Sequence, residues 1–171
     1  MENILKVYKN VLSVETLDQF KRETIEKFQQ QCWSPSSLFW EKNLLEGIQG
    51  DCLSTMASDD LHKNIINDIK HILPTCSKTI VQHYVWAKNS GIAVHNDGGF
   101  SFGATIYMNA SWNINHGGIF LWKESEEGEY KVILPEFNTL VLNDEQQKHI
   151  VTPISAYCNE PRITIQIWGA V

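Results

Sequence analysis

The hydrophobic rhythm of the chain changes near residue 78. Before that point apolar residues recur at helical spacing. Leu17, Phe20, Ile25 and Phe28 mark a first helix from Val14 to about Gln31, with Ser13 as its N-cap. Leu61, Ile65, Ile66, Ile69, Ile72 and Leu73 make one apolar face of a second helix over Ser58–Leu73, and Pro74 stops it. The stretch between, Cys32–Met56, follows neither rhythm. Its Trp33, Phe39 and Trp40 read first as core residues of a loop, and second as the lining of a cleft.

Beyond residue 78 short strand-like runs alternate with turn residues. The runs are Thr79–Trp86, Ile92–His95, Gly103–Asn109, Gly118–Trp122, Tyr130–Leu134, Thr139–Leu142, His149–Thr152 and Arg162–Trp168. About eight short strands in this space predict a mainly β fold, a sandwich or barrel, with the two α-helices packed on one outer face. Residues 1–171 then form a single domain, with 1–77 as helical N-terminal support and 78–171 as the β core.

Composition narrows the function. The length of 171 residues suits one domain, and 43% hydrophobic residues with six tryptophans can fill a substantial core. The formal net charge is −6 and no lysine or arginine cluster occurs. Nucleic-acid binding leans on cationic phosphate contacts, so no nucleic-acid partner is expected. Four scattered cysteines without a C-x-x-C pair read as reduced thiols. A basic-then-apolar leader is missing, and no apolar run approaches the ~20 residues of a membrane span. The expectation is a soluble, cytoplasmic protein with no membrane partner. Nothing in the sequence sets its oligomeric state.

The chemistry concentrates in a few side chains. Of six histidines, His62 and His71 fall in the second helix, in structural positions. His83 and Tyr84 alternate along the first strand, so at most one faces the interior. His116 sits in a turn and reads as solvent-exposed. His95 and Asp97 differ. Residues two apart on a strand share a face, so both can converge on one metal ion. By itself H-x-D is weak: with six histidines and seven aspartates, roughly one chain in four would show it by chance. His149, opening a strand 52 residues past Asp97, can bring a third donor to the same mouth. Two histidines and a carboxylate leave coordination positions open, as in non-haem Fe(II) oxygenases. Asn96 points the other way, and Gly98-Gly99 lets the chain bend off.

Arg162 opens the last strand. It shares one face with Thr164, while Ile163, Ile165 and Ile167 take the other. An arginine facing the interior is costly to bury unless paired. Two readings stand: the guanidinium grips a ligand carboxylate with help from Thr164, or it sits at the surface in a salt bridge with Glu160.

Taken in order, these residues resemble the Fe(II)- and 2-oxoglutarate-dependent dioxygenases, in their prolyl 4-hydroxylase-like branch. The pattern is His95-Asn96-Asp97, a spacer of about fifty residues, His149, then Arg162. Tyr84 stands ahead of His95 where the family often has a tyrosine. Ala104–Asn109 looks like its Tyr-Leu-Asn strand, Gly117–Trp122 like its Gly-Gly element, and Leu134-Pro135 with Thr139–Leu142 like the stretch before the second histidine. Tyr8–Ser13 resembles the approach to its first helix. Two departures occur. Asn138 replaces a usual glycine, and the residues 144–148 before His149 are unusually polar.

The resemblance implies a double-stranded β-helix, the jelly-roll or cupin-like core. It implies catalytic metal ligands His95, Asp97 and His149 for Fe(II). Arg162 would hold the distal carboxylate of 2-oxoglutarate, with Thr164, Tyr107 and Tyr84 as further contacts. O2 is the second co-substrate, and ascorbate a candidate reductant. The implied reaction hydroxylates an unactivated C–H bond and converts 2-oxoglutarate to succinate and CO2. A peptidyl proline leads as substrate. The alternatives are a free amino acid or other small metabolite, or a silent metal-binding β-barrel module. Trp86, Trp112, Trp122 and Trp168 read first as core residues, with Trp168 the first to test as a substrate platform.

Overall fold

The computed structural model describes residues 5–36, 40–46, 51–144 and 147–170, so Phe39, Glu145 and Gln146 lie outside the described residues. In chain order the elements are β1 (Leu5–Lys9), α1 (Val14–Gln29), β2 (Ser34–Pro35), β3 (Cys52–Met56), α2 (Asp59–Ile69), β4 (Lys78–Trp86), β5 (Ile92–His95), β6 (Phe102–Tyr107), β7 (Phe120–Trp122), β8 (Lys131–Ile133), β9 (Thr139–Asn143), β10 (His149–Val151) and β11 (Arg162–Ala170). Short 3₁₀ turns sit at Lys42–Leu45 and Ile114–His116. The strands form a seven-stranded sheet, ordered β1-β9-β6-β11-β4-β3-β2, and a four-stranded sheet, ordered β5-β10-β7-β8. This mainly β, jelly-roll-like arrangement with two helices is the architecture that the strand pattern predicts. No helix among the described residues is long and apolar enough to cross a membrane.

All eight expected strands form. Three more come from the N-terminal part, which is therefore not only helical. β1 pairs with β9 from Leu5–Asn143 to Lys9–Thr139, and β3 pairs with β4 from Cys52–Trp86 to Met56–Gln82. These segments are too short for a periodic signal, and long-range pairing decides them.

β11 shows why the larger sheet has two different faces. Ile165 and Ile167 pack with Val81, Ala104, Ile106, Leu140 and Leu142 against Leu17, Phe20, Leu61, Ile65 and Ile69 of the helices. Burial of each such side chain is worth about 1.5–3 kcal/mol. Arg162, Thr164, Gln166 and Trp168 point the opposite way, toward the space between the sheets.

The helices depart from expectation in two places. In α1, Leu17 and Phe20 are buried, but Ile25 and Phe28 are exposed, and Glu23 and Thr24 take the inner positions instead. Those polar residues are needed inside because they answer the buried His83. α2 ends at Ile69, before the expected Leu73, with the Ile72 N–H donating to the Ile69 carbonyl in a tighter turn. The chain ahead of Pro74 resists the α conformation. Both expected starts hold: the hydroxyl of Ser13 accepts from the Thr16 N–H, and that of Ser58 from the Leu61 N–H.

Asn138 does more than replace a glycine. Its φ of 53° is left-handed, as the turn requires. Its side chain also accepts from the Leu12 N–H at 2.8 Å and donates to the Leu12 carbonyl at 3.0 Å, fastening the start of α1 to the core.

Candidate active site

His95 ends β5 and His149 begins β10, and the two are paired directly across the smaller sheet. Asp97 follows two residues after His95. Its carboxylate lies 3.9 Å from His95 Nε2 and 4.0 Å from His149 Nε2. One donor atom from each residue falls within 4.8 Å of the others, so a single cation could be shared by all three. The Asp97 side chain settles over Gly103 of β6. A Cβ built there would stand 2.2 Å from Asp97 Oδ2, so only glycine leaves room for the carboxylate.

The imidazoles are aimed by the backbone. His95 Nδ1–H donates to the Ala93 carbonyl at 2.8 Å, and His149 Nδ1–H to the Gln147 carbonyl at 2.9 Å. Those bonds put the ring proton on Nδ1 and leave each Nε2 lone pair facing Asp97. Burial, then the neighbouring His149, push His95 down to about 4, against the pull of Ala93 and Asp97. A neutral imidazole is the ligand form. Phe120 stacks on the His149 ring at 4.8 Å. Asn143 braces the loop that delivers His149: its Oδ1 accepts from the Gln147 N–H at 2.8 Å, and its Nδ2 donates to the same carbonyl that His149 uses, at 3.1 Å.

Arg162 is 1% exposed, and it makes no salt bridge among the described residues. Glu160 does not answer it; that carboxylate lies instead 3.7 Å from His116. The guanidinium Nε and Nη1 have no hydrogen-bond partner, and neither does the Tyr107 hydroxyl beside them. The guanidinium carbon stands 5.2 Å from the Trp86 and Tyr107 ring centres. Burial works against the charge while Tyr107 favours it, and an arginine stays protonated regardless. Gly118, at φ 63°, lets the arginine through: a Cβ there would stand 2.7 Å from Arg162 Cδ. Thr164 lies on the same face, its hydroxyl accepting from Trp86 Nε1 at 3.1 Å.

One cavity of about 210 Å³ joins these parts, and His95, Asp97, His149, Arg162 and Tyr84 all line it. The Tyr84 hydroxyl donates to Gln82 Oε1 at 3.4 Å, and burial pushes it well above the usual phenol range. Trp40, Phe100 and Trp168 form an aromatic wall. Trp40, Trp86 and Trp168 thus line the cavity, Trp86 although it is buried, whereas Trp122 is buried away from it. His83 and Tyr84 do point to opposite faces, yet both are buried, because the helices cover the far side. His116 is half-buried against Trp112 rather than solvent-exposed. Of the polar approach to His149, Asp144 pairs with Lys6 at 2.6 Å and Lys148 pairs with Glu126.

Gly103, Asn143 and Gln166 are cavity or bracing residues that sequence reasoning did not single out. No local signal marks them; each acquires its role from a residue distant in the chain.

No protein-family model matches this chain, and no curated protein matches it in sequence. Its architecture does have relatives. A prolyl-4-hydroxylase from Pseudomonas putida superposes with a TM-score of 0.74 at 14% identity, over 99% of this chain and 94% of that one. The fold is that of the prolyl 4-hydroxylases and other 2-oxoglutarate oxygenases. A prolyl hydroxylase from Trichoplax adhaerens, solved with a hypoxia-inducible-factor oxygen-degradation-domain peptide, gives 0.72 at 18% identity, over 99% and 84% of the two chains. The non-haem α-ketoglutarate-dependent epimerase SnoN of nogalamycin biosynthesis gives 0.67 at 10% identity, over 97% and 77%. At such identities the likeness concerns the fold, and chemistry must be argued from the residues.

Proposed function

We propose that this protein is a non-haem Fe(II)- and 2-oxoglutarate-dependent dioxygenase that hydroxylates an unactivated C–H bond, with a peptidyl proline as its leading substrate. One observation carries the reading. Arg162 is a fully buried cation with no salt bridge among the described residues and with its Nε and Nη1 unbonded, on the wall of the same cavity as the His95, Asp97 and His149 donors. A buried unpaired charge costs several kcal/mol, and a ligand carboxylate gripped by the guanidinium removes that cost.

The residues suit the implied groups. Two neutral imidazoles and one carboxylate are the donor set of non-haem iron. Arg162 suits the distal carboxylate of 2-oxoglutarate, and the Tyr107 hydroxyl beside the guanidinium can donate to it as well. Bound together, the metal and 2-oxoglutarate would activate O2, the oxidant: one oxygen atom would go to the C–H bond as hydroxyl and the other to 2-oxoglutarate, which would leave as succinate and CO2. The chain supplies positioning. The backbone carbonyls of Ala93 and Gln147 fix the imidazole tautomers, and the aromatic wall keeps bulk water from the reacting C–H bond.

Charge supports this choice of substrate class. Among the described residues lining the cavity, only Asp97 and Arg162 carry unambiguous charge, and both are committed. A free amino acid would bring an ammonium and a carboxylate with nothing charged left to meet them. A residue within a peptide brings neither. The remaining wall is aromatic and suits an aliphatic ring.

Anaerobic titration of the Fe(II) protein with 2-oxoglutarate tests the chemistry. A weak charge-transfer band in the green is expected, and iron binding should be lost in His95→Ala. No band, with iron binding unchanged in that variant, would leave only the silent-module reading. Succinate release over a panel of proline peptides and free amino acids tests the substrate. Stimulation by an amino acid and by no peptide would move the assignment to a small metabolite.

A further inference from the structure

The strand pair β6–β11 forms a ladder that leads from one end of the cavity to the other. Tyr107 lies opposite Thr164, Thr105 opposite Gln166, and Gly103 opposite Trp168. At one end Tyr107 flanks the Arg162 guanidinium. At the other, Gly103 makes room for the Asp97 carboxylate. Gln166 and Thr105 are the rung between, and both line the cavity.

The Gln166 amide is held in one orientation. The Thr105 hydroxyl donates to Gln166 Oε1 at 2.8 Å. That bond commits the amide oxygen and leaves the two Nε2 hydrogens for the cavity. Nε2 makes no hydrogen bond among the described residues. Two residues along an antiparallel strand advance about 7 Å. A five-carbon diacid anchored at the Arg162–Tyr107 level has the length to place its other carboxylate near the Gln166 level, on the way to Asp97.

We propose that Gln166 is a third anchor of the dicarboxylate co-substrate, donating from Nε2 to the carboxylate at the metal end, with Thr105 fixing the amide for that task. This rests on the 2-oxoglutarate reading given above. Arg162 and Tyr107 then choose the distal carboxylate, and Gln166 sets how the proximal end is turned toward the three metal-binding side chains.

Binding without turnover provides the test. Protein loaded with Mn(II) in the absence of Fe(II) is titrated with 2-oxoglutarate by calorimetry. A hydrogen bond to a charged group is worth roughly ten-fold or more in affinity. Gln166→Leu should therefore weaken 2-oxoglutarate binding about ten-fold, with the Mn(II) affinity and thermal midpoint unchanged. Gln166→Glu should weaken it further, since one carboxylate would face another. Thr105→Val should give a smaller loss in the same direction, and it serves as the second variant if Gln166→Leu does not fold. Gln166→Leu binding 2-oxoglutarate as tightly as the wild type would overturn the proposal and leave the parent reading intact. A proportional loss of Mn(II) affinity would also overturn it, by showing a structural role. Wild-type protein that takes Mn(II) but no 2-oxoglutarate would remove the parent reading and this proposal together.

Discussion

His83 and Arg162 are equally deep in the protein, each 1% exposed, on opposite faces of the same sheet. What surrounds them differs. His83 faces the helices. Its Nε2 lies 3.2 Å from Glu23 Oε1, its Nδ1 3.0 Å from the Thr24 hydroxyl, and Phe20 stacks on its ring at 4.6 Å. Glu23 in turn accepts from the backbone N–H and hydroxyl of Ser58, at the start of α2. Each of these polar groups has its partner inside the protein. Arg162 faces the cavity, and its Nε and Nη1 have none. Burial alone therefore does not mark a functional residue. The unfilled hydrogen-bond account does: a closed network holds the fold, and an open one calls for a ligand.

The sharpest way to break this contrast is to remove each charge and measure two quantities. Arg162→Met should weaken 2-oxoglutarate binding by about 2–5 kcal/mol, the usual loss when one partner of a buried charge pair is truncated. The same change should leave the ligand-free unfolding free energy unchanged or raised, because an unpaired charge is replaced by an apolar chain of similar length. Chemical denaturation and calorimetry read the two effects separately. A large loss of stability would mean that the protein itself answers Arg162, and the contrast would fail. Gly103→Ala comes next. Its methyl group must displace the Asp97 carboxylate, so metal affinity should fall roughly 10–100-fold, the range seen when ligand support is disturbed. Unchanged metal binding would show that Asp97 can reach the cation from elsewhere.

The closed network should respond in the opposite sense. Glu23→Ala leaves His83 and Ser58 without their acceptor and should cost about 1–3 kcal/mol of unfolding free energy, with 2-oxoglutarate affinity unaffected. The pH dependence follows. Burial alone would raise the Glu23 pKa, but the bonds from His83 and Ser58 outweigh it and hold the carboxyl down at about 2. Its folded pKa is thus depressed, so its contribution is complete above its ordinary value of 4.5 and is lost as the pH falls from there toward 2. Denaturation of the wild type and of Glu23→Gln should show a stability difference that shrinks across that window. A difference independent of pH would mean that the carboxylate is not held in its charged form.

The sequence reveals the two layers unequally. The alternation of Ile163, Ile165 and Ile167 against Arg162 and Thr164 survives in the structure because a strand between two buried layers must sort its side chains by face. The triad is legible for the same reason: His95 and Asp97 share a face by spacing alone. The α1 stripe misleads, since the inward positions at Glu23 and Thr24 are polar and their partners lie far along the chain: His83 is 60 residues from Glu23, and Ser58 is 35. β1 and β3 are invisible in advance because short strands are defined by what they pair with. The supports of the site share this property. Gly103 matters only because Asp97 comes to rest on it, and Gln166 only because Thr105 lies across the ladder.

Asn143 carries the smallest and most selective of these effects. It touches neither the cavity charge nor the helix network, and its bonds go to the Gln147 backbone that orients His149. β10 is also held directly, by pairing with β5 and β7. Two devices therefore aim one imidazole, and removing one should cost only part of the affinity. Asn143→Ala should lower metal affinity about ten-fold, the low end for a supporting contact, with little change in unfolding free energy. Asn143→Asp separates the two bonds: it keeps the acceptor for the Gln147 N–H and loses the donor to the Gln147 carbonyl. Alanine loses both bonds, so if the bond from the Gln147 N–H is the one that holds the loop, the aspartate variant should bind metal better than the alanine variant. Equal metal affinity in both variants and the wild type would mean that sheet pairing alone aims His149, and that Asn143 belongs with the closed, purely structural networks.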